Sequence, residues 1–304
     1  MANNGTKDSD YIVALDIGTS KVVCIIGKYI DQYSIEVISM GSYPSSGLKK
    51  GVVVNIDATT DAIQKSIDQA QASFEGKIKN VFVGIAGNHI RSLNSHGIVG
   101  IKDKEVTPGD IDRVIEAAQA VAIPSDQRVL HVLPQEYVID DQDSIRDPLG
   151  MSGVRLESHV HLVTCANNAI QNIEKCVKRC GIGVDGFVLE QLASSYSVLS
   201  EDEKELGVCL VDIGGGTTDI AVFNSGSISF TGVIPIAGDQ VTSDIAVALR
   251  TPTAQAEDIK QKHGCAAAEL THDGEILEKF EKITEKHVFH KKIRKIMSKS
   301  LLIY

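Results

Sequence analysis

Two short stretches of the chain carry the residue types that a phosphate group would need. Tyr11–Gly27 reads YIVALDIGTSKVVCIIG and Leu210–Phe223 reads LVDIGGGTTDIAVF. Each is an apolar run that ends in an acid, Asp16 or Asp212, passes a turn of glycine and hydroxyl residues, and resumes as a second apolar run. The pattern predicts strand, tight turn, strand, because Gly and small hydroxyl residues punctuate two β-rich runs. Glycine would let backbone amides approach a ligand closely and adopt positive φ. Consecutive amides in such a turn make a concave anion site, to which Thr or Ser adds side-chain donors. An Asp at the strand end can hold a hydrated Mg2+, which prefers carboxylate, water and phosphate oxygens. Two such hairpins facing each other would clamp the phosphates of a Mg-nucleotide. A structural hairpin with a glycine turn is the plainer alternative. Repetition argues against it, since the second copy adds a triple glycine and Thr217-Thr218-Asp219.

The elements that must position these turns read as α/β text. The two Asp-Ile-Gly turns lie 196 residues apart, which suggests two related halves. No GxxxxGK[ST] or GxGxxG occurs, so neither a Walker loop nor a dinucleotide fold has support. After the first hairpin come a strand at Ile35–Met40, a helix at Asp57–Ala72 with Asp57 as its N-cap, and a buried strand at Lys79–Ala86. Residues 84–165 differ in texture: helical text at Pro108–Ala122, alternating strands at Val129–Val132 and Ser158–Thr164, and a loop-rich stretch between them. We read them as an inserted subdomain. A helix at Asn167–Cys180, a strand at Gly186–Leu189 and a helix at Gln191–Leu199 then restore the alternation expected of partly parallel sheets.

Composition narrows the class further. A chain of 304 residues with 43% hydrophobic and 23% charged residues has the make-up of a globular protein with a real core. Six cysteines without CxxC spacing read as reduced apolar side chains. Residues 1–10 are polar and lack an apolar signal segment, and no apolar run approaches a membrane span, so a cytosolic protein is expected. A net charge of −10 argues against nucleic-acid binding. That charge is uneven: residues 279–304 carry eight Lys and Arg against two Glu, and the rest carry 22 against 38 acids. His131, His159 and His161 show no ligand spacing and are expected to be structural.

The two hairpins resemble the phosphate motifs of the actin, Hsp70 and sugar-kinase superfamily. Intervening text narrows the match to the FtsA family of bacterial cell-division proteins. His131–Asp140 (HVLPQEYVID), Asp147–Arg155 (DPLGMSGVR) and the strand with His159 and His161 resemble the family's inserted 1C subdomain. Ser42–Asn55, Leu192–Leu199 and Ile236–Ala246 are similar to its text elsewhere. The resemblance implies an actin-like (ribonuclease H-like) two-domain α/β ATPase fold with an inserted 1C subdomain and an incomplete second domain. It divides the chain into a first domain (1A) at 11–83 and 166–199, the insertion at 84–165, part of the second domain (2A/2B) at 200–278 and a divergent basic tail at 279–304. Asp16, Gly18, Thr19, Ser20 and Lys21 would form the first phosphate loop. Asp212, Gly214, Gly215, Gly216, Thr217 and Thr218 would form the second, with Asp16 and Asp212 near Mg2+ through water. Glu190 falls where related ATPases position the attacking water, with a plain helix cap as its alternative. Glu257 and Lys260 resemble the segment that contacts adenosine, or else form a solvated helix face. Gly238, Thr242 and Asp244 resemble a further turn of the second domain.

As a member of that family the chain is expected to bind ATP and Mg2+, with at most weak hydrolysis, and to act as a scaffold. Its implied partners are FtsZ, further copies of itself through the actin-like subdomains, later division proteins through 84–165, and the inner face of the cell membrane at the division site. The resemblance ends at about Glu275, and no glycine follows Gly274, so the family's Gly-Gly adenosine motif and its membrane helix are expected to be absent. An incomplete domain leaves apolar faces uncovered, which predicts lower stability than a full-length relative has. Residues 279–304 read either as an interfacial helix on anionic lipid or as a disrupted end without function. Three rival classes share the hairpins. A sugar or acetate kinase needs a substrate site with a catalytic Asp, an Hsp70-like chaperone needs a further peptide-binding domain, and pilus-assembly relatives lack the His131–Arg155 text.

Overall fold

The structure, a computed structural model, describes residues 11–31 and 34–265. The basic stretch 279–304 and the end of the 200–278 segment lie outside the described residues. The chain divides into two compact units, Met1–Pro235 and Ile236–Tyr304.

The first unit opens with the antiparallel pair β1 (Tyr11–Ile17) and β2 (Lys21–Tyr29), in which Asp16 faces Val23. β3 (Ile35–Pro44) continues the sheet. It runs four residues past the expected end because Gly41 does not break it. A Cβ on Gly41 would lie 1.9 Å from the Ser66 carbonyl oxygen, so glycine lets a helix cross directly over the strand. A small hairpin of β4 (Leu48–Lys49) and β5 (Val52–Val53) leads into that helix, α1 (Ile56–Ala72). Its N-cap is Asn55, not Asp57: the Asn55 side chain accepts from the Ala58 amide, and Asp57 sits in the first turn, where its charge suits the helix dipole. β6 (Asn80–Ile85) follows and pairs parallel with β1.

The chain then leaves this sheet through β7 (Ile90–Gly100), α2 (Pro108–Gln119), β8 (Gln127–Ile139), β9 (Gln142–Ile145) and β10 (Arg155–Ala166). These strands form an antiparallel sheet in the order β7-β10-β8-β9, covered by α2. Thr107 and Asp110 start α2 with a capping box. β8 is far longer than the Val129–Val132 segment expected. Pro134 is tolerated because the register shifts there: Glu136 faces His159 and Pro134 faces Val160, which leaves Gln135 bulged. A separate core of Ile101, Val106, Val114, Tyr137, Ile139, Ile145 and Leu156 holds this part together.

α3 (Asn167–Arg179) and β11 (Gly183–Leu189) return to the first sheet, where β11 pairs parallel with β6. The five-stranded order is β11-β6-β1-β2-β3. Its core includes Leu15, Val22, Ile26, Ile63, Val83, Ile170 and Val177, each burial worth about 1.5–3 kcal/mol. α4 (Glu190–Val198) and α5 (Glu201–Leu206) lead to an antiparallel sheet of β12 (Val208–Ile213), β13 (Thr218–Asn224) and β14 (Ser227–Ile234). β12, β13 and β14 follow one another as β1, β2 and β3 do.

β14 lies against the inserted sheet. Ser92 Oγ donates to the Thr231 carbonyl at 3.1 Å, Asn94 Nδ2 to the Ser229 carbonyl at 3.2 Å, and the bulged Gln135 Nε2 to the Ile228 carbonyl at 2.8 Å. The second unit contributes α6 (Gly238–Leu249) and α7 (Thr253–His263), packed around Ile245, Ala256 and Ile259. Among the described residues no helix is long and apolar enough to cross a membrane.

Candidate functional site

Both Asp-Ile-Gly turns close in the same way. The Gly18 amide donates to the Lys21 carbonyl at 3.0 Å, and the Gly214 amide donates to the Thr217 carbonyl at 2.9 Å. The two turns also meet. A Cβ on Gly216 would stand 2.7 Å from Thr19 Oγ1 and 3.0 Å from the Lys50 Cα, so the second turn rests on the first and on the β4–β5 tip. The glycines serve differently from the expectation. Gly18, Gly214, Gly215 and Gly216 do not take positive φ; at Gly216 the need is for space.

Asp16 is the penultimate residue of β1, as Asp212 is of β12, and Ser194 Oγ donates to Asp212 at 3.3 Å. Glu190 is the first residue of α4, just after the N-cap residue Leu189. Its side chain lies over Gly84, where a Cβ would come within 3.2 Å of its Cγ. Asp219 on β13 is 5% exposed and accepts from Thr217 Oγ1 at 2.8 Å, from Gln191 Nε2 at 3.1 Å and from the Gly87 amide. The Thr217 hydroxyl, expected to be a ligand donor, is thus held by Asp219.

Asp16, Glu190, Asp212 and Asp219 therefore lie within electrostatic reach of one another, although among the described residues no three or more His, Cys, Asp or Glu side chains converge closely enough to hold a metal ion directly. Burial and then the charges of Asp16, Asp219 and Asp212 hold the Glu190 carboxyl well above the usual carboxylate range. Asp219 is pushed up to about 6, chiefly by burial, with its hydrogen bond from Thr217 offsetting part. Asp16 keeps one side open to water, yet enclosing protein raises it too; Lys21 counters that shift and Asp212 adds to it. Burial and the mutual repulsion of neighbouring acids both favour the neutral carboxyl. An all-oxygen donor set with backbone amides alongside suits hydrated Mg2+ and phosphate.

In the second unit, Gly238, Thr242, Glu257 and Lys260 come together. Lys260 Nζ donates to Thr242 Oγ1 at 2.9 Å and to the Gly238 carbonyl at 3.2 Å, and pairs with Glu257 at 2.7 Å. Thr242 Oγ1 donates to Glu257 at 2.5 Å. Asp244 accepts from Gln240 Nε2 at 2.9 Å. His131 accepts the Leu189 amide at 2.9 Å, His159 pairs with Glu136, and His161 is buried beside β14.

Sequence reading passed over Asp219 as a site residue, although the signal was there. Along β13 the buried positions are Asp219, Ala221 and Phe223, so an acid occupies the inward phase of a strand. The repeat also breaks there, because the residue paired with Asp16 is Val23 and the residue paired with Asp212 is Asp219. Gln191, Ser194 and Gly87 carry no such mark, since they reach the site through the fold alone.

Two repeated hairpins meeting turn to turn, the first of them in a mixed five-stranded sheet, belong to an actin-like fold. The PilM–PilN type IV pilus biogenesis complex resembles the chain with a TM-score of 0.64 at 14% identity, covering 83% of this chain and 70% of that one. MreB 5 of Spiroplasma citri bound to AMPPNP resembles it with a TM-score of 0.55 at 15% identity, over 97% and 76% of the two chains. The chain belongs to the FtsA family of cell-division proteins. The family model for the SHS2 domain inserted in FTSA matches residues 87–164, and that for cell division protein FtsA matches residues 209–300. The second match runs beyond Glu275, where sequence reading ended the resemblance. Cell division protein FtsA of Pseudomonas aeruginosa is 67% identical over 266 residues, 88% of this chain and 64% of its own length. The Escherichia coli K12 protein is 46% identical over 271 residues, 89% of this chain and 64% of its own. The chain thus spans about 64% of the length of these relatives.

Proposed function

We propose that this chain is the Mg-ATP-binding body of an FtsA-type division adaptor. It uses nucleotide to set its conformation and self-association, and serves to tether FtsZ filaments to the inner face of the membrane during Z-ring assembly at the septum. The observation that carries the nucleotide part is the seating of Gly216 on Thr19, which brings the two repeated turns together, with their acids in electrostatic reach of one another. Asp16 and Asp212 would hold Mg2+ through water, and the amides of 18–21 and 214–218 would take the phosphates. When bound, the ion neutralises phosphate charge. Glu190 would orient a water, while Asp219 fixes the Thr217 hydroxyl and so the shape of the second turn. For the adenosine end, the family resemblance assigns Glu257 and Lys260. Later division proteins would dock on 84–165, and the FtsZ and membrane roles rest on family membership.

The test is calorimetry of Mg-ATP with the 304-residue chain and its Asp212→Ala variant. Saturable binding in the micromolar range, lost in the variant, is the expected result. Absence of heat from both proteins, each folded by circular dichroism, would sink the nucleotide reading.

A further inference from the structure

The β4–β5 hairpin turns through two residues, Lys50 and Gly51, and both have positive φ, 52° and 75°. Paired positive φ values mark a type I′ turn, where Asn-Gly or Gly-Gly is the favoured choice and lysine is conformationally disfavoured. A residue held in a costly backbone region points to a use for its side chain.

The place of that turn suggests the use. Gly51 donates its amide to Thr19 Oγ1 at 3.3 Å, touching the first phosphate turn. The Lys50 backbone touches the second, lying 3.0–3.1 Å from where a Gly216 Cβ would be. Behind it, a Cβ on Gly51 would meet the Ala86 carbonyl at 2.6 Å and the Gly87 Cα at 2.8 Å, and the Gly87 amide bonds Asp219. The tip is therefore seated among both turns and the strap that leads into the inserted sheet. The Lys50 side chain is exposed, and among the described residues no hydrogen bond, ion pair or ring contact engages its ammonium. Meanwhile Lys21 is the cation that acts on Asp16, against four acids in the cluster. Adding a Mg-nucleotide to such a site brings more negative charge than one lysine balances.

We infer that Lys50 is a further phosphate-binding residue, carried on the β4–β5 tip to the phosphates of the bound Mg-nucleotide. This inference rests on the nucleotide reading above. A lysine at this tip joins the two turns through its backbone and supplies a point charge through its side chain, which glycine or asparagine could not do.

The experiment measures Mg-ATP affinity and its dependence on NaCl for the full chain and for Lys50→Asn, Lys50→Gly, Lys50→Arg and Lys28→Asn, with thermal melts of each. Asn and Gly both suit positive φ, so these variants should melt at or above the parent. Each should bind Mg-ATP about ten-fold or more weakly and with a shallower salt dependence, as loss of one charge-assisted contact predicts. Lys50→Arg should stay within about three-fold of the parent, and Lys28→Asn, a charge removed at the far end of β2, should bind as the parent does. Binding by Lys50→Asn and Lys50→Gly within about two-fold of the parent overturns the inference, as does equal weakening in Lys28→Asn. Parent binding that Asp212→Ala abolishes and Lys50→Asn keeps defeats the Lys50 role alone. Failure of the parent to bind defeats the nucleotide reading and this inference together.

Discussion

A methyl group added at Gly216 would press on the Thr19 hydroxyl at 2.7 Å and on the Lys50 backbone at 3.0 Å. The hydroxyl can rotate away, but the backbone of a tight turn cannot. Gly216→Ala should therefore cost about 1–3 kcal/mol through overpacking. It should weaken Mg-ATP binding more than this stability loss alone would suggest, because it parts the two turns. Urea unfolding and calorimetry on the same preparation check both effects, and an alanine variant with parental stability and affinity would refute the account. At this scale the acids at strand ends, Asp16 and Asp212, were legible because an ionisable group closing an apolar run is conspicuous. Asp219 was less so, because its meaning depends on which face of β13 turns inward. The glycines were legible as a set, yet the reason for Gly216 depends on a neighbour almost 200 residues away in sequence.

His161 joins elements from both sides of the repeat. Its Nδ1–H donates to Asn94 Oδ1 at 2.6 Å on the neighbouring strand β7, and its Nε2 accepts from Thr231 Oγ1 at 3.0 Å on β14. Asn94 Nδ2 donates to the Ser229 carbonyl, which turns its oxygen toward the imidazole and selects that tautomer. The ring is 2% exposed, and burial lowers its pKa to about 4. The unfolded chain takes up a proton below about pH 6.5, whereas the folded chain resists until about 4. The stability His161 confers is thus whole above pH 6.5 and is lost progressively as pH falls toward 4. His161→Gln should lack this dependence. The stability advantage of the parent over it should shrink by about 3 kcal/mol between pH 7 and pH 4, read from denaturant midpoints of both proteins. The raised acids of the site act in the opposite direction and cancel in that difference. A constant gap across the pH range would rule the argument out. Element identity followed from periodicity, as in the helix at 56–72, while its cap and the reach of β8 did not. A bulge at Gln135 lets a proline sit within a strand, and only pairing with β10 reveals it.

The inserted sheet has its own core, and its first and last strands are partners, with Ile90 facing Cys165. A segment whose ends already touch can close without help from the rest of the chain. We expect residues 86–166 made alone to unfold cooperatively, with a sigmoidal denaturant transition by circular dichroism. A featureless, non-cooperative profile would show that the β14 contacts are required. Those touching ends also bear on how the polypeptide is made. β6 must wait for its parallel partner β11, and Gly183 pairs with Asn80 across the whole insertion. At ordinary ribosomal speeds roughly 5–20 s pass between the emergence of the two strands, and throughout that time β6 presents an unpaired edge. An insertion that folds as it emerges brings the two halves of the sheet to within one strand's breadth. The delay then adds little to the entropy of closure, and the nascent chain's exposure to misassociation ends when α3 and β11 leave the ribosome.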